Sequence, residues 1–381
     1  MRILIISSVF YPRTSPRALR ATELAKYFAQ QGHEVVSYAC IGKYDYCDFE
    51  TKTGVKVRNI PGRLFSKLES DGTGKYNVLD KVLTKIFANL LEWPDIELAF
   101  KMKAILRNEN PFDLLISIAV PYPIHWGLAH AKKSLNKLFP KVWISDCGDP
   151  YMGNSVGRKK PKYFQKIEKY WAEKTDYITI PIEDARKAYP SFAKDKIKVI
   201  PQGFDFKSTP IDNYIKNAVP TFAFAGATYI GYRDPSKFLD YLCSLNFNFK
   251  FIVYSPPHSA FDKYIPLLKG KLEVRGYIPR PELIKELSKM DFLVNINNSA
   301  TIQSPSKLID YAITGRPILS ISSYFTENHS FEDFIKGNYK DATFVNLNKY
   351  DINIVGQQFL SLFNNHTCIT NNIYDITKNT K

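Results

Sequence analysis

Short apolar runs alternate with amphipathic stretches along almost the whole chain, and no other feature constrains the fold as much. Strands separated by helix-length segments give parallel sheets covered by helices. In the first half the expected strands are Arg2–Ser7, Glu34–Ala39, Val55–Ile60, Asp113–Ala119, Lys141–Asp146 and Asp176–Pro181. The second half starts its own series with Thr221–Gly226, Phe249–Ser255, Leu272–Gly276, Asp291–Ile296, Pro317–Ile321 and Thr343–Leu347. After the first strand, Ala18, Ala21, Leu24, Ala25 and Phe28 recur at helical spacing, and Gly32 stands where a C′ residue belongs. Tyr76 to Arg107 reads as a helical hairpin or a helix bent at Pro94. The expectation is an α/β chain of two Rossmann-like βαβ domains, 1–203 and 204–364, joined near Pro201-Gln202-Gly203, with a tail at 365–381.

Composition narrows the function classes. With 45% hydrophobic and 14% aromatic residues the chain is not a disordered one. Its longest apolar stretch, Leu114 to Ile124, already contains two prolines, so no transmembrane helix is expected. Ile3 to Ile6 is too short for a secretory h-region. Five cysteines without paired spacing fit a reducing compartment, hence a cytoplasmic location. The net charge of +15 is uneven: residues 1–200 carry 33 basic and 21 acidic side chains, and residues 201–381 carry 19 and 16. The densest basic segment is Arg158-Lys159-Lys160-Pro161-Lys162, followed by Lys166, Lys169 and Lys174. A solvated face, an anionic membrane surface or a phosphorylated acceptor all suit it. Nucleic acid is set aside, since no zinc-finger spacing, RNP-like aromatic segment or basic heptad is present.

Open parallel sheets bind ligands beyond the carboxyl ends of their strands. The most informative loop there runs from Asn295 to Lys307 and enters the helix Ser304-Pro305-Ser306-Lys307-Leu308-Ile309-Asp310-Tyr311-Ala312. Ser304 suits the N-cap and Pro305 the first helical position. Such a terminus directs amides and partial positive charge at a phosphate, and Lys307 adds a full charge. Asp310, one turn on, is placed to accept from ribose hydroxyls; the alternative is a well-capped helix and nothing more. After Thr221–Gly226, Gly226 and Gly231 allow a ligand near the backbone, and Arg233 and Lys237 suit a diphosphate. Tyr277, in the turn Arg275-Gly276-Tyr277-Ile278, offers an aromatic face to a base. In the first half, His125 follows two prolines past a strand end, and Asp146 and Asp149 stand three residues apart after the next strand. Those carboxylates suit a base or sugar hydroxyls, and Arg13 and Arg17 flank the loop after the first strand. No Asp-x-Asp metal motif, Walker A, GxGxxG, Gly-x-Ser-x-Gly elbow or zinc cluster occurs. Ser304-x-x-Lys307 and Lys52-Thr53-Gly54 stand in the wrong order for a penicillin-recognising enzyme.

Over roughly residues 1–350 the chain resembles the two-domain GT-B glycosyltransferases, family 4, and within it a bacterial surface-polysaccharide branch. The opening Met1-Arg-Ile-Leu-Ile-Ile-Ser-Ser and Leu24-Ala25-Lys26-Tyr27-Phe28-x-x-x-Gly32-His33-Glu34-Val35 are similar to its first strand, helix and second strand. Pro305-Ser306-Lys307-Leu308-Ile309-Asp310-Tyr311 with Thr314-Gly315-Arg316-Pro317 carries the most specific likeness. Asp146-Cys-Gly-Asp149-Pro150-Tyr151 resembles an Asp-x-Arg-Asp-Pro-aromatic loop in which Gly148 replaces the Arg. The resemblance implies GT-B architecture, with two domains facing across a cleft. It also implies a UDP- or GDP-sugar donor held by Gly226, Arg233, Lys237, Tyr277, Ser304, Ser306, Lys307 and Asp310. His125 and Asp149 would be catalytic, and Arg13, Arg17 and Asp146 would hold the acceptor. Asp310 takes the place of the second Glu of a Glu-x7-Glu pattern, while Ile302 stands at the first. The implied activity is glycosyl transfer to a glycan or lipid-linked glycan, retaining, with neither metal nor other cofactor, in polysaccharide or capsule synthesis. Contact with an anionic membrane at its inner face goes with it. The alternatives are a nucleotide-sugar epimerase of the same fold and a nucleotide-sugar-binding protein without catalysis.

Overall fold

Ile3, Leu4, Ile5 and Ile6 are fully buried at the centre of a seven-stranded parallel sheet in the computed structural model. The structure describes residues 1–60, 86–153, 160–207, 209, 211–228, 233–256, 260–297 and 306–378. The chain divides into one unit of Met1–Phe204 with Tyr350–Lys381, and a second of Asp205–Lys349.

In the first unit the strands are β1 (Arg2–Ser7), β2 (Glu34–Ala39), β3 (Lys56–Asn59), β4 (Leu114–Ala119), β5 (Val142–Cys147), β6 (Tyr177–Ile180) and β7 (Ile197–Val199). Their order is β3-β2-β1-β4-β5-β6-β7, with Ile3 level with Val35 on one side and Leu114 on the other. The helices are α1 (Pro16–Gln30), α2 (Cys47–Thr53), α3 (Ile96–Arg107), α4 (Pro123–Leu135) and α5 (Phe164–Lys174). Ser15 caps α1 by accepting from Ala18 N at 3.4 Å, and Pro16 takes the first helical position. Ala18, Ala21, Leu24, Ala25 and Phe28 then have no exposed surface, so the spacing gives the buried stripe directly. Gly32 follows at φ +80°, where a side chain would be strained. Residues 76–85 of the expected hairpin lie outside the described residues; from residue 86 on, a helical segment ends at Leu91 and α3 begins after Pro94. Strand β7 was missed because it is three residues long with a lysine at its centre.

The second unit contains β8 (Thr221–Ala225), β9 (Lys250–Tyr254), β10 (Leu272–Arg275), β11 (Phe292–Ile296) and β12 (Ile318–Ile321), ordered β10-β9-β8-β11-β12 and all parallel. Its helices are α6 (Ser236–Ser244), α7 (Arg280–Leu287), α8 (Ser306–Ile313) and α9 (Asn328–Ile335). Rings fill its core: Phe222 stacks between Phe251 at 4.7 Å and Phe292 at 4.8 Å. The strand expected at Thr343–Leu347 does not form. Thr343 N donates to Ile318 O at 2.8 Å, but the residues after it continue as irregular chain and a 3-10 turn.

The assignment of residues 350–364 to the second domain is corrected. Helix α10 (Ile352–Lys378) packs in the first unit, with Ile352, Val355, Phe359 and Phe363 joining the cluster of Tyr27 and Phe28. Two glycines make room: a Cβ at Gly356 would strike the Tyr27 ring, and one at Gly203 would strike Ile352. Phe204 N donates to Tyr350 O at 2.8 Å and Ile352 N to Phe204 O at 3.0 Å, so the chain leaves and re-enters the unit side by side.

Each sheet reverses its winding at one place, between β1 and β4 and between β8 and β11. Crevices at such switch points are where open α/β sheets take ligands.

Candidate functional site

At the second switch point, β8 ends on Ala225 and helix α8 begins on the far side of the reversal. Tyr311, fully buried on α8, accepts from Ala225 N at 2.7 Å and donates to Ala225 O at 3.3 Å. That anchor fixes the helix against the strand end, and Lys307, one turn earlier on the same face, is thereby laid over Gly226. A Cβ at Gly226 would overlap the lysine side chain, and the φ of +136° also requires glycine. Lys307 Nζ is buried 5.3 Å over the Phe224 ring, with no hydrogen-bond partner among the described residues. Burial, with Arg233 nearby adding repulsion, pulls its pKa from 10.5 to about 7. An ammonium taken out of water and left unpaired is costly, and an anion would relieve it.

One turn further along α8, Asp310 accepts from Arg280 Nε at 2.9 Å and from Arg280 Nη2 at 2.6 Å, both through Oδ1. Burial raises the Asp310 pKa, and Arg280 opposes that rise. Arg280 was not legible as a site residue, since a basic residue between two prolines carries no motif. Ser255 was also missed; it follows β9, and its buried Oγ has no partner among the described residues. Lys237 is exposed on the first turn of α6, and Tyr277, past β10, is 63% exposed. Ser304 and Gly231 lie outside the described residues; Ser306 opens α8, its side chain undescribed. Geometry thus brings together Gly226, Arg233, Lys307, Asp310 and Arg280.

In the first unit a cavity of about 820 Å³ opens at the carboxyl ends of β1 to β4, lined among others by Tyr11, Arg13, Tyr44, Asn59, Asp95 and Pro121. Tyr46 donates to Tyr11 O, and Tyr11 stacks on Phe49 at 4.9 Å, so its ring is held in place. His125 does not reach this space. It has no exposed surface; Nδ1 lies 2.9 Å from Ser117 Oγ and Nε2 3.5 Å from Cys147 Sγ. Burial takes its pKa down to about 3, so it is a neutral core residue and the catalytic role expected of it is withdrawn. Asp146 is corrected likewise. It is 3% exposed and accepts from Arg20 Nη2 at 2.8 Å, Arg20 Nε at 3.1 Å and Thr179 Oγ1 at 2.7 Å. Arg20 also donates to Ile200 O and Pro201 O and lies over the Phe359 ring, so this carboxylate organises the fold rather than an acceptor. Asp149 sits half-buried in the following loop, its carbonyl accepting from Tyr122 OH at 2.5 Å. Among the described residues no group of three His, Cys, Asp or Glu side chains could hold a metal.

Two parallel sheets of this order, with a cation-lined strand end in the second, give the chain the GT-B fold. The sequence pattern of Glycosyltransferase Family 4 matches residues 18–208, and the chain belongs to that family. A glycosyltransferase from Rickettsia africae is similar at a TM-score of 0.62 and 12% identity, covering 96% of this chain and 98% of that one. Anabaena Alr3699/HepE, solved with UDP and glucose, gives 0.55 and 12%, covering 96% and 100%. The lipopolysaccharide outer core galactosyltransferase WaaB gives 0.56 and 12%, covering 97% and 100%. No curated protein matches the chain in sequence.

Proposed function

We propose that the chain moves a sugar from a UDP- or GDP-sugar, held by the second unit, to a glycan or lipid-linked glycan held by the first, with retention of configuration. The observation that carries this reading is the buried, unpartnered Lys307 at the strand end beside Gly226. Breaking the bond between sugar and diphosphate leaves negative charge on the phosphoryl oxygens. Lys307, Arg233 and the amino end of α8 are fixed positive groups that stabilise that charge as it develops, with no metal required. Asp310, with Oδ1 held by Arg280, offers its other oxygen to ribose hydroxyls. In the first unit the Tyr11 and Tyr44 rings present apolar faces to sugar carbons, and Arg13, Asn59 and Asp95 pair with hydroxyls. Asp149 is the carboxylate left to act on an acceptor hydroxyl.

The setting proposed is polysaccharide or capsule synthesis at the cytoplasmic face of a membrane. Its support is the basic excess of residues 1–200, which attracts anionic lipid. No helix of the described residues is long and apolar enough to cross a membrane, so contact would be peripheral. Thermal unfolding in the presence of UDP-, GDP- and dTDP-sugars tests the donor reading, because a ligand of the folded state raises the midpoint. UDP- or GDP-sugars stabilise the parent chain and not Lys307→Ala; no shift with any nucleotide sugar refutes the reading.

A further inference from the structure

A guanidinium that pairs side-on with a carboxylate commonly gives one N–H to each oxygen. Arg280 and Asp310 do not meet that way. Nε and Nη2 both fall on Oδ1, at 2.9 and 2.6 Å, and Oδ2 accepts from no donor among the described residues. The two side chains are 25% and 22% exposed, so the pair is partly withdrawn from water. One carboxylate oxygen is taken up and the other is left to a ligand.

The local sequence fixes where this arginine stands. Strand β10 ends on Arg275, and the turn after it carries Tyr277 and closes at Pro279. Arg280 opens α7 between Pro279 and Pro281, whose rings set the backbone on both sides, and Leu283 N donates to Pro279 O at 2.9 Å. The other charges of α7 are directed elsewhere. Lys285 lies 3.7 Å from Asp212, Glu286 lies 2.6 Å from Lys289 and 3.7 Å from Arg275, and Glu282 is exposed. On α8, Lys307 lies over Gly226 and the Tyr311 hydroxyl is committed to Ala225. Among the described residues Arg280 is thus the charge that acts on Asp310, and it opposes the rise in proton affinity that burial causes. An ionised carboxylate oxygen accepts two hydrogen bonds, as many as the adjacent hydroxyls of a ribose supply. A deoxyribose leaves one of them unmade at a partly buried charge, which is costly.

We infer that Arg280 is a positioning residue for the donor: by holding Oδ1 of Asp310 it reserves Oδ2 for both ribose hydroxyls, so that ribonucleotides are bound in preference to 2′-deoxyribonucleotides. This rests on the reading that the second unit holds the nucleotide, and it sets dTDP-sugars outside the donor class. Calorimetric titration of the full chain with UDP and 2′-deoxy-UDP, and with GDP and 2′-deoxy-GDP, tests it between pH 6 and 8. The quantity read is the ratio of the two affinities, in which the diphosphate contacts and the titration of Lys307 cancel. The parent prefers the ribonucleotide by about tenfold or more, with little change across this range. In Arg280→Met the preference is smaller at pH 8 and closes to about twofold or less at pH 6, because a proton on Asp310 then displaces the hydroxyls. Arg280→Lys, which keeps the charge with a single donor centre, restores the flat profile at an intermediate ratio. Asp310→Asn removes the preference, and adding Arg280→Met to it changes the ratio no further. Equal binding of the two nucleotides by the parent overturns the inference. So does a loss in Arg280→Met that falls alike on both and leaves the ratio intact, which is the mark of a merely structural arginine. If no nucleotide binds the parent, the donor reading fails and this inference with it; if nucleotides bind without a preference that depends on Arg280, this inference fails alone.

Discussion

Lys307→Met should make the protein more stable and abolish its response to nucleotide. A lysine whose pKa falls from 10.5 to about 7 on folding pays about 1.36 kcal/mol per unit, on the order of 4 kcal/mol at neutral pH. Methionine keeps most of the aliphatic length over Phe224 and brings no charge. Allowing half of the penalty for imperfect packing leaves a gain of about 2 kcal/mol, or roughly 5 °C in the transition of the second unit. The pH dependence gives an independent reading. Between pH 7 and 10.5 the unfolded lysine binds a proton that the folded one has lost, so this residue makes stability rise with pH in that window. The slope disappears in Lys307→Met. Nucleotide acts in the opposite sense, since a diphosphate restores the charge; its affinity falls as pH rises above 7, and binding takes up a proton at pH 8. Chemical denaturation from pH 6 to 10, with and without UDP, measures all of this. A variant less stable than the parent, or one still stabilised by UDP, refutes the reasoning.

Gly226→Ala forces a side chain into a φ of +136° and against Lys307; about 1–3 kcal/mol of stability and the UDP response are lost together, as denaturation with and without UDP shows. His125 is buried neutral, with a pKa near 3 against 6.5 unfolded, so the parent loses stability as pH falls below about 6.5. His125→Gln has a shallower acid limb in denaturation curves between pH 3 and 7, while acceptor KM at neutral pH is unaffected at equal folded fraction. Phe359→Ala removes a fully buried ring between α10 and Arg20 and costs about 3–5 kcal/mol, read in hydrogen exchange as faster opening of β1 and α1 while β8 and β11 keep their protection.

What the sequence made legible was local. The α1 stripe, its glycine stop and nearly every strand follow from apolar runs, because burial of one face depends on the residues of that face. The Lys307 and Gly226 pairing was half legible: both lay in strand-end loops, but Tyr311 as the bond between them needs the fold. His125 and Asp146 misled for one reason. A polar residue beside a strand end reads as a ligand contact, and only its partners tell otherwise: Ser117 and Cys147 for one, Arg20, 126 residues away, for the other. The pattern of Ile352, Val355, Phe359 and Phe363 marks α10 as amphipathic, but an apolar stripe does not name the unit that it covers. Gly203 and Gly356 carry that information as missing side chains, which no periodicity reveals.

The pairing of Phe204 with Tyr350 has a consequence for how the protein is made. The second unit is an insertion between two hydrogen-bonded residues of the first, so it is complete on the ribosome while its host still lacks α10. During synthesis the Tyr27 and Phe28 surface waits uncovered until residue 363 has emerged, although its own sheet was finished more than a hundred residues earlier. A released chain truncated after Lys349 should therefore carry a protease-resistant second unit and a first unit that remains open, a substrate for chaperones in the absence of α10.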